Sequence, residues 1–108
     1  MPTPFQQRVY DALLLIPKGR VTTYGAIANF LGTKAFRAVG SAVGKNPNAP
    51  AVPCHRVVPQ DGCIGNYSAG EGVSTKIALL YSENVFVKAG KIVDFEAMMF
   101  QFKGITDA

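Results

Sequence analysis

The sequence predicts one mostly helical, winged-helix-like domain over residues 1–108, with short strands and a helix-turn-helix. Three observations point there. Apolar residues recur at helical spacing through the first half, each stretch opened by a residue suited to cap a helix. A glycine, Gly32, separates two of these stretches by a tight turn. After Lys45 the periodicity gives way to Pro, Asn and Gly, and only short alternating runs return near the end. A chain of 108 residues, 48% hydrophobic, can bury a core without disulfides or metal.

The first helix begins at Thr3, a capping residue, with Pro4 in the first helical position. Phe5, Val9, Ala12, Leu13 and Ile16 then form an inward stripe, and Pro17-Lys18-Gly19 stops it. Thr22 or Thr23 caps a second helix from about Tyr24 to Leu31, with Ala26, Ile27, Phe30 and Leu31 inward and Gly32 as its stop. A third helix runs from about Lys34 to Gly44, with Ala35, Phe36, Val39 and Val43 facing the core. The second and third helices form the candidate helix-turn-helix, a pattern shared by many domains that touch no DNA.

Residues 46–53 hold three prolines and two asparagines, which predicts a fixed, extended loop. Arg56-Val57-Val58-Pro59 suits a short strand and Gln60-Asp61-Gly62 a turn. The glycine-rich stretch from Gly65 to Gly72 lacks the Lys-Ser/Thr ending of a phosphate loop and reads as a shaped wall. Ser74 is expected to cap a fourth helix to about Ser82, with Ile77, Leu80 and Tyr81 inward. Val85 and Val87, then Ala89-Gly90-Lys91, then Ile92 and Phe95 predict a small hairpin. Met98-Met99-Phe100 and Phe102 pack on the core or form a dimer patch.

Composition narrows the function. No apolar run approaches the roughly 20 residues of a membrane span, and no basic stretch followed by an apolar one opens the chain, so no signal peptide is expected. Two cysteines are too few for a disulfide framework, and a single histidine gives no metal cluster. A cytoplasmic protein without metal or cofactor is the expectation. The net charge of +4 permits nucleic-acid binding without requiring it. Lys34, Arg37 and Lys45 concentrate that charge around the third helix.

The chemistry-bearing stretch is Pro53-Cys54-His55-Arg56-Val57-Val58, with the chain's only histidine beside a cysteine. A thiolate is a strong nucleophile when its pKa is lowered by a base or nearby positive charge. Neighbours on an extended chain point oppositely, so a direct Cys54–His55 bond needs a local turn or a bridging water. His55 also needs an orienting acid, and Glu83 is a candidate on this logic. From these residues alone, Cys54 reads either as a nucleophile or as an inert buried cysteine. Cys63 has no such neighbours.

That stretch resembles the active-site motif of the O6-alkylguanine-DNA alkyltransferases, and the resemblance continues in order along the chain. Phe5-Gln6-Gln7-Arg8-Val9-Tyr10 is similar to that family's opening helix, and Gly19-Arg20-Val21-Thr22-Thr23-Tyr24-Gly25 to the entry of its helix-turn-helix. Arg37-Ala38-Val39-Gly40-Ser41-Ala42-Val43 resembles its recognition helix, Asn46-Pro47 its hinge and Asn66-Tyr67-Ser68 its substrate loop. The stretch from Gly72 to Leu80, with Glu83, resembles its closing helix.

The resemblance implies the fold of that family's C-terminal domain and a role in repair. Cys54 is implied as the acceptor of an alkyl group from guanine O6, irreversibly and once per molecule, as a suicide enzyme. His55 is implied to take the thiol proton through a water, Glu83 to orient His55, Tyr24 to assist the departing guanine and Asn46 to act as hinge. Double-stranded DNA containing O6-alkylguanine is the implied partner, bound by a monomer, with the damaged base flipped out. Arg37 is implied to fill the vacated space, and the small Ala38, Gly40, Ser41 and Ala42 to approach the minor groove. Lys34 and Lys45 lie on the same basic surface. The backbone at Val57, with Tyr67 and Ser68, is implied to shape the pocket. Singly, Tyr24 also reads as a helix-end aromatic, Arg37 as a solvated charge, Asn46 as a turn residue and Glu83 as an exposed acid.

Many members of that family carry a further N-terminal domain, whereas this chain starts at the part that binds DNA. The tail from Asn84 carries no family motif. Alkyltransferase-like proteins share the short architecture but replace the cysteine, often by tryptophan, and recruit excision-repair proteins. Cys54 and the lack of tryptophan favour the transferase, and the length favours the sensor. A cysteine hydrolase is a second alternative, and it needs a direct dyad that adjacent residues do not readily form.

Overall fold

A computed structural model describes residues 2–67 and 69–102 of the chain. The first helix, α1 (Pro4–Leu13), opens on a reciprocal cap. Gln6 N donates to Thr3 Oγ1 at 3.1 Å, and Thr3 N donates to Gln6 Oε1 at 2.9 Å. Its core face carries Val9, Tyr10, Ala12 and Leu13. The helix loosens into three-residue turns at Leu15 and Ile16, because Pro17 disfavours a helical residue before it.

Strand β1 (Thr22–Thr23) leads directly into α2 (Tyr24–Phe30), capped as expected by Thr23, whose Oγ1 accepts from Ala26 N at 3.0 Å. Gly32, at φ +73°, closes α2: its N–H reaches Asn29 O and that of Thr33 reaches Ala28 O. The third helix, α3 (Phe36–Gly44), starts two residues later than expected. Its buried face is Val39, Ala42 and Val43. Ala35 and Phe36, expected inside, are exposed, Phe36 by 49%. Thr33 Oγ1 accepts from Ala35 N, which holds this stretch as a turn ahead of the helix.

The loop at 46–53 is a run of turns rather than an extended segment. Asn46 folds it, donating from Nδ2 to Val52 O at 2.7 Å and accepting from Asn48 N at Oδ1. A single 3₁₀ turn, Cys54–Arg56, then feeds β2 (Val57–Val58). β2 pairs in parallel with β1, Thr22 opposite Val57 and Thr23 opposite Val58. The alternation of a strand sends Val57 to the core of α1, α2 and α3, and Val58 to a second cluster with Val21, Leu80, Val85 and Ile92.

The fourth helix, α4 (Val73–Ser82), is capped by Gly72 at φ +78° rather than by Ser74, which lies in its first turn. Its buried face is Lys76 and Leu80. Ile77 is half-buried, and Tyr81 is exposed, edge-on to Phe86. The expected hairpin is β3 (Val87–Lys88) against β4 (Lys91–Ile92), joined by Ala89 and Gly90, both at positive φ. After α5 (Phe95–Met98) the apolar tail packs on the core: Met99 bridges Val21, and Phe102 stacks on Phe30 at 4.5 Å. Among the described residues, no helix is long and apolar enough to cross a membrane.

Tyr10 bolts α1 to α3, its hydroxyl donating to Ala42 O at 2.9 Å within the core. Tyr10→Phe removes only that bond, so stability should fall by about 1 kcal/mol. Urea unfolding checks this as a lower midpoint at unchanged slope; an unchanged midpoint would contradict the bolt.

Candidate active site

The site begins in the 3₁₀ turn. Cys54 N donates to Val52 O at 2.8 Å and Arg56 N to Pro53 O at 3.1 Å, winding three residues into one turn. At three residues per turn, successive side chains diverge by roughly 120°. Cys54, His55 and Arg56 are all buried, yet they face different surroundings. Cys54 borders an open cleft, while His55 and Arg56 turn to the end of α4.

There they share one carboxylate. His55 Nε2 lies 3.0 Å from Glu83 Oε2. Arg56 donates from Nε to Glu83 Oε1 at 2.9 Å and from Nη2 to Oε2 at 2.6 Å, a two-pronged clamp. Its Nη1 donates to Ile16 O at 2.6 Å. Burial alone would raise the pKa of Glu83, but hydrogen bonds from Arg56 and His55 outweigh it and hold the carboxyl below its ordinary value. Burial lowers the pKa of His55, and the bond to Glu83 only partly opposes this. His55 is therefore a neutral imidazole near pH 7. With Nε2 donating to the carboxylate, Nδ1 carries the free lone pair; it is buried and has no hydrogen-bond partner among the described residues.

The cleft has a volume of about 570 Å³. α3 contributes Phe36, Arg37, Gly40, Val43 and Gly44 to its lining; Pro59 and Gly65 to Tyr67 form a second part of the wall; Cys54 and Tyr24 complete it. Gly65, at φ +71°, admits no side chain, since a Cβ there would sit 2.7 Å from Pro59 Cδ. Cys54 Sγ lies 3.7 Å from Tyr67 Oη. Burial, then the neighbouring Cys54, raises the pKa of Tyr24; burial, then the hydrogen bond with Cys54, raises that of Tyr67. Both stay protonated phenols able to donate.

The structure thus brings Cys54, Tyr24, Arg37, Gly40 and Tyr67 to the cleft and puts His55 and Glu83 behind Cys54. Lys34, Ala38, Ser41 and Lys45 are exposed and lie outside its lining, whereas Ala42, expected to approach the groove, is buried in the core against α1. Asn46 does not line the cleft; it ties the turn that precedes Cys54. The Val57 side chain is core. Ser68 lies outside the described residues.

Three residues escaped the sequence reading. Phe36 lines the cleft, and Arg56 clamps Glu83. Lys76 is fully buried, its Nζ donating to Ile64 O at 2.6 Å and Asn66 O at 3.2 Å, which fixes the wall that carries Tyr67. Its signal was a lysine four residues before Leu80 on the inward stripe.

The fold and the site together define a class: a helix-turn-helix domain whose second helix walls a cleft lined by a cysteine, with a histidine–carboxylate pair behind it. Residues 4–85 match the family described as 6-O-methylguanine DNA methyltransferase, DNA binding domain, and the chain belongs to that family. It is 51% identical over 82 residues to the methylated-DNA–protein-cysteine methyltransferase of Mycobacterium tuberculosis, covering 75% of this chain and 48% of the relative. The chain therefore spans about half the length of the curated relatives it matches. It superposes on the crystal structure of M. tuberculosis OGT in complex with DNA with TM-score 0.71 and 50% identity, over 77% of this chain and 51% of that one. On S. pombe Atl1, crystallised with damaged DNA containing O6-carboxymethylguanine, the TM-score is 0.79 at 31% identity, over 94% of this chain and 99% of that one. This last match extends beyond residue 85 into the tail, where the sequence carried no motif.

Stability should follow the buried groups. Burial pulls the Lys76 pKa from 10.5 down to about 8. Between those values the unfolded chain holds a proton that the folded chain has released, so Lys76 makes stability rise with pH. The raised tyrosine pKa values act oppositely above 10.0. On the acid side His55, lowered from 6.5, and Glu83, lowered from 4.5, both make stability fall as pH drops through those values. Urea midpoints from pH 7 to 10 should show a rise in the wild type that Lys76→Met lacks; equal pH profiles would mean that Lys76 is not a buried ammonium.

Proposed function

We propose that this protein repairs O6-alkylguanine in double-stranded DNA by moving the alkyl group onto its own Cys54. The observation that carries the reading is the buried His55–Glu83 pair behind a cysteine that opens on the α3 cleft. The same residues fit the chemistry. The Cys54 proton passes through one water to His55 Nδ1, and Glu83 stabilises the imidazolium that forms. Sulfur attacks the alkyl carbon; the S–C bond forms, the C–O6 bond breaks, and its electron pair leaves on the guanine. Tyr24, kept protonated by its surroundings, donates a hydrogen bond or proton to that leaving anion. The thioether product is not hydrolysed, so each molecule acts once and needs no cofactor.

The reacting carbon is inaccessible inside a base pair, so the nucleotide must be flipped into the cleft. Arg37, at the cleft edge, fills the vacated space. The exposed Ala38 and Ser41, with Gly40, allow close approach to the minor groove. Lys34 and Lys45 supply phosphate contacts independent of sequence. Asn46 is a positioning residue that fixes the turn before Cys54. Tyr67 and the Val57 backbone shape the base pocket. The protein acts as a monomer in the cytoplasm on this reading.

One observation favours a second reading, a sensor that binds O6-alkylguanine and recruits excision-repair proteins: the match to S. pombe Atl1 covers 99% of that chain. Mass spectrometry of the intact protein, after mixing with a duplex bearing one O6-methylguanine, separates the two. Transfer adds a single methyl mapped to Cys54 and absent in Cys54→Ser. Tight binding without added mass assigns the sensor role instead. In single-turnover assays His55→Gln should slow transfer by roughly 10²- to 10⁴-fold while duplex binding persists.

A further inference from the structure

The tail hairpin contains an arrangement that the fold does not need. Lys88 and Lys91 are cross-strand partners on β3 and β4. Directly opposed residues share one face of a strand pair, roughly 5 Å apart, and like charges there repel. The next pair, Val87 opposite Ile92, faces the other way and packs on the second apolar cluster. Both lysines therefore point to solvent, and both are exposed. Ala89 and Gly90, at φ +54° and +78°, fix the tight turn that keeps them together. Among the described residues, neither ammonium has a carboxylate within ion-pair distance. Asp61, the acid that feels Lys91, is occupied by a hydrogen bond from Cys63 N. Two cations held side by side at a rigid tip suit a polyanion.

The location of the tip identifies which one. Residues 62–64 run antiparallel beside β4 through a single bridge: Ile92 N donates to Gly62 O at 2.9 Å, Ile64 N donates to Gly90 O at 2.8 Å, and Cys63 bridges Lys91. Three residues after Ile64 stands Tyr67, in the lining of the cleft. At no more than about 3.6 Å per residue, Tyr67 is within roughly 11 Å of Ile64. With one strand spacing of about 4.8 Å added, the hairpin turn lies within roughly 16 Å of the cleft rim. Phosphates of one strand repeat about every 3.4 Å along a duplex, so this is a reach of four or five nucleotides.

We propose that Lys88 and Lys91 form a second DNA contact, clamping backbone phosphates beside the cleft at a place separate from α3. The inference rests on the DNA-repair reading above. It gives the tail a role in seating the duplex at the cleft, the hairpin cations adding to those of α3.

The test measures duplex affinity by fluorescence anisotropy from 50 to 200 mM NaCl, for wild type, Lys88→Gln/Lys91→Gln and, as a charge-matched control, Lys18→Gln/Arg20→Gln. Losing two phosphate contacts should reduce the slope of log affinity against log salt by about 1.8. The control should keep a slope close to wild type, and methyl transfer at saturating DNA should be unchanged in the hairpin variant. Its thermal midpoint should be equal or higher, since the lysines repel. A slope unchanged in the hairpin variant, or reduced as much in the control, overturns the proposal. A wild type that binds no duplex in a salt-dependent way overturns the DNA reading itself.

Discussion

Glu83 ends α4 with one carboxylate and three donors aimed at it, from His55 Nε2 and from Arg56 Nε and Nη2. All three side chains are nearly closed to solvent. A buried carboxylate is tolerated only when its charge is matched and its lone pairs are used, and removing one partner of such a set costs about 3–5 kcal/mol. The 3₁₀ turn at Cys54–Arg56 answers that demand, because it presents His55 and Arg56 to one acceptor while leaving Cys54 on the other side. Arg56 fixes the turn from a second direction through Ile16 O, tying the site to the end of the α1 segment. Cys54 reaches the cleft because its two successors are held elsewhere.

The surrounding fold keeps that geometry in place. The β1–β2 pair follows the turn without a break and is packed on both faces, Val57 into one cluster and Val58 into the other. Thr23 belongs to β1 and caps α2, so Tyr24 enters the cleft in fixed register with Cys54. On the second part of the wall Lys76 does the corresponding work, binding the carbonyls of Ile64 and Asn66. Its buried ammonium opposes stability, and its compensation is a wall that holds Tyr67 beside the thiol. The gathering of such costly groups around one cleft matches the general tendency of perturbed residues to collect at functional sites.

Local chemistry was legible in the sequence wherever it is settled by neighbours. Thr3 with Pro4, Thr23 before Tyr24, and Ala89-Gly90 between Val87 and Ile92 each specify their element within a few residues. The readings that failed depend on contacts distant in the chain. Phe36 has the spacing of a core residue, but α3 begins at it and turns it to the cleft. The prolines of 46–53 suggest extension, but Asn46 folds the segment back on Val52. Ser74 looks like a cap, but Gly72 takes that place with its positive φ. At the site, Cys54, His55 and Glu83 were found through a family resemblance together with the logic of nucleophile, base and orienter. Arg56 and Lys76 were missed because each is a cation whose partners, Glu83 and the 64–66 carbonyls, are brought to it only by the fold.

His55 is the only histidine, so its imidazole can be observed without ambiguity. Nitrogen-15 NMR of that ring across pH is the most direct test of how Glu83 sets up the site. The account predicts a neutral ring at pH 7 with its proton on Nε2 and a bare Nδ1, titrating below 6.5. A proton on Nδ1 would mean that the carboxylate does not leave a free lone pair to accept a proton, and a titration above 6.5 would mean that burial does not keep the ring neutral at pH 7; either result contradicts the geometry of the His55–Glu83 pair.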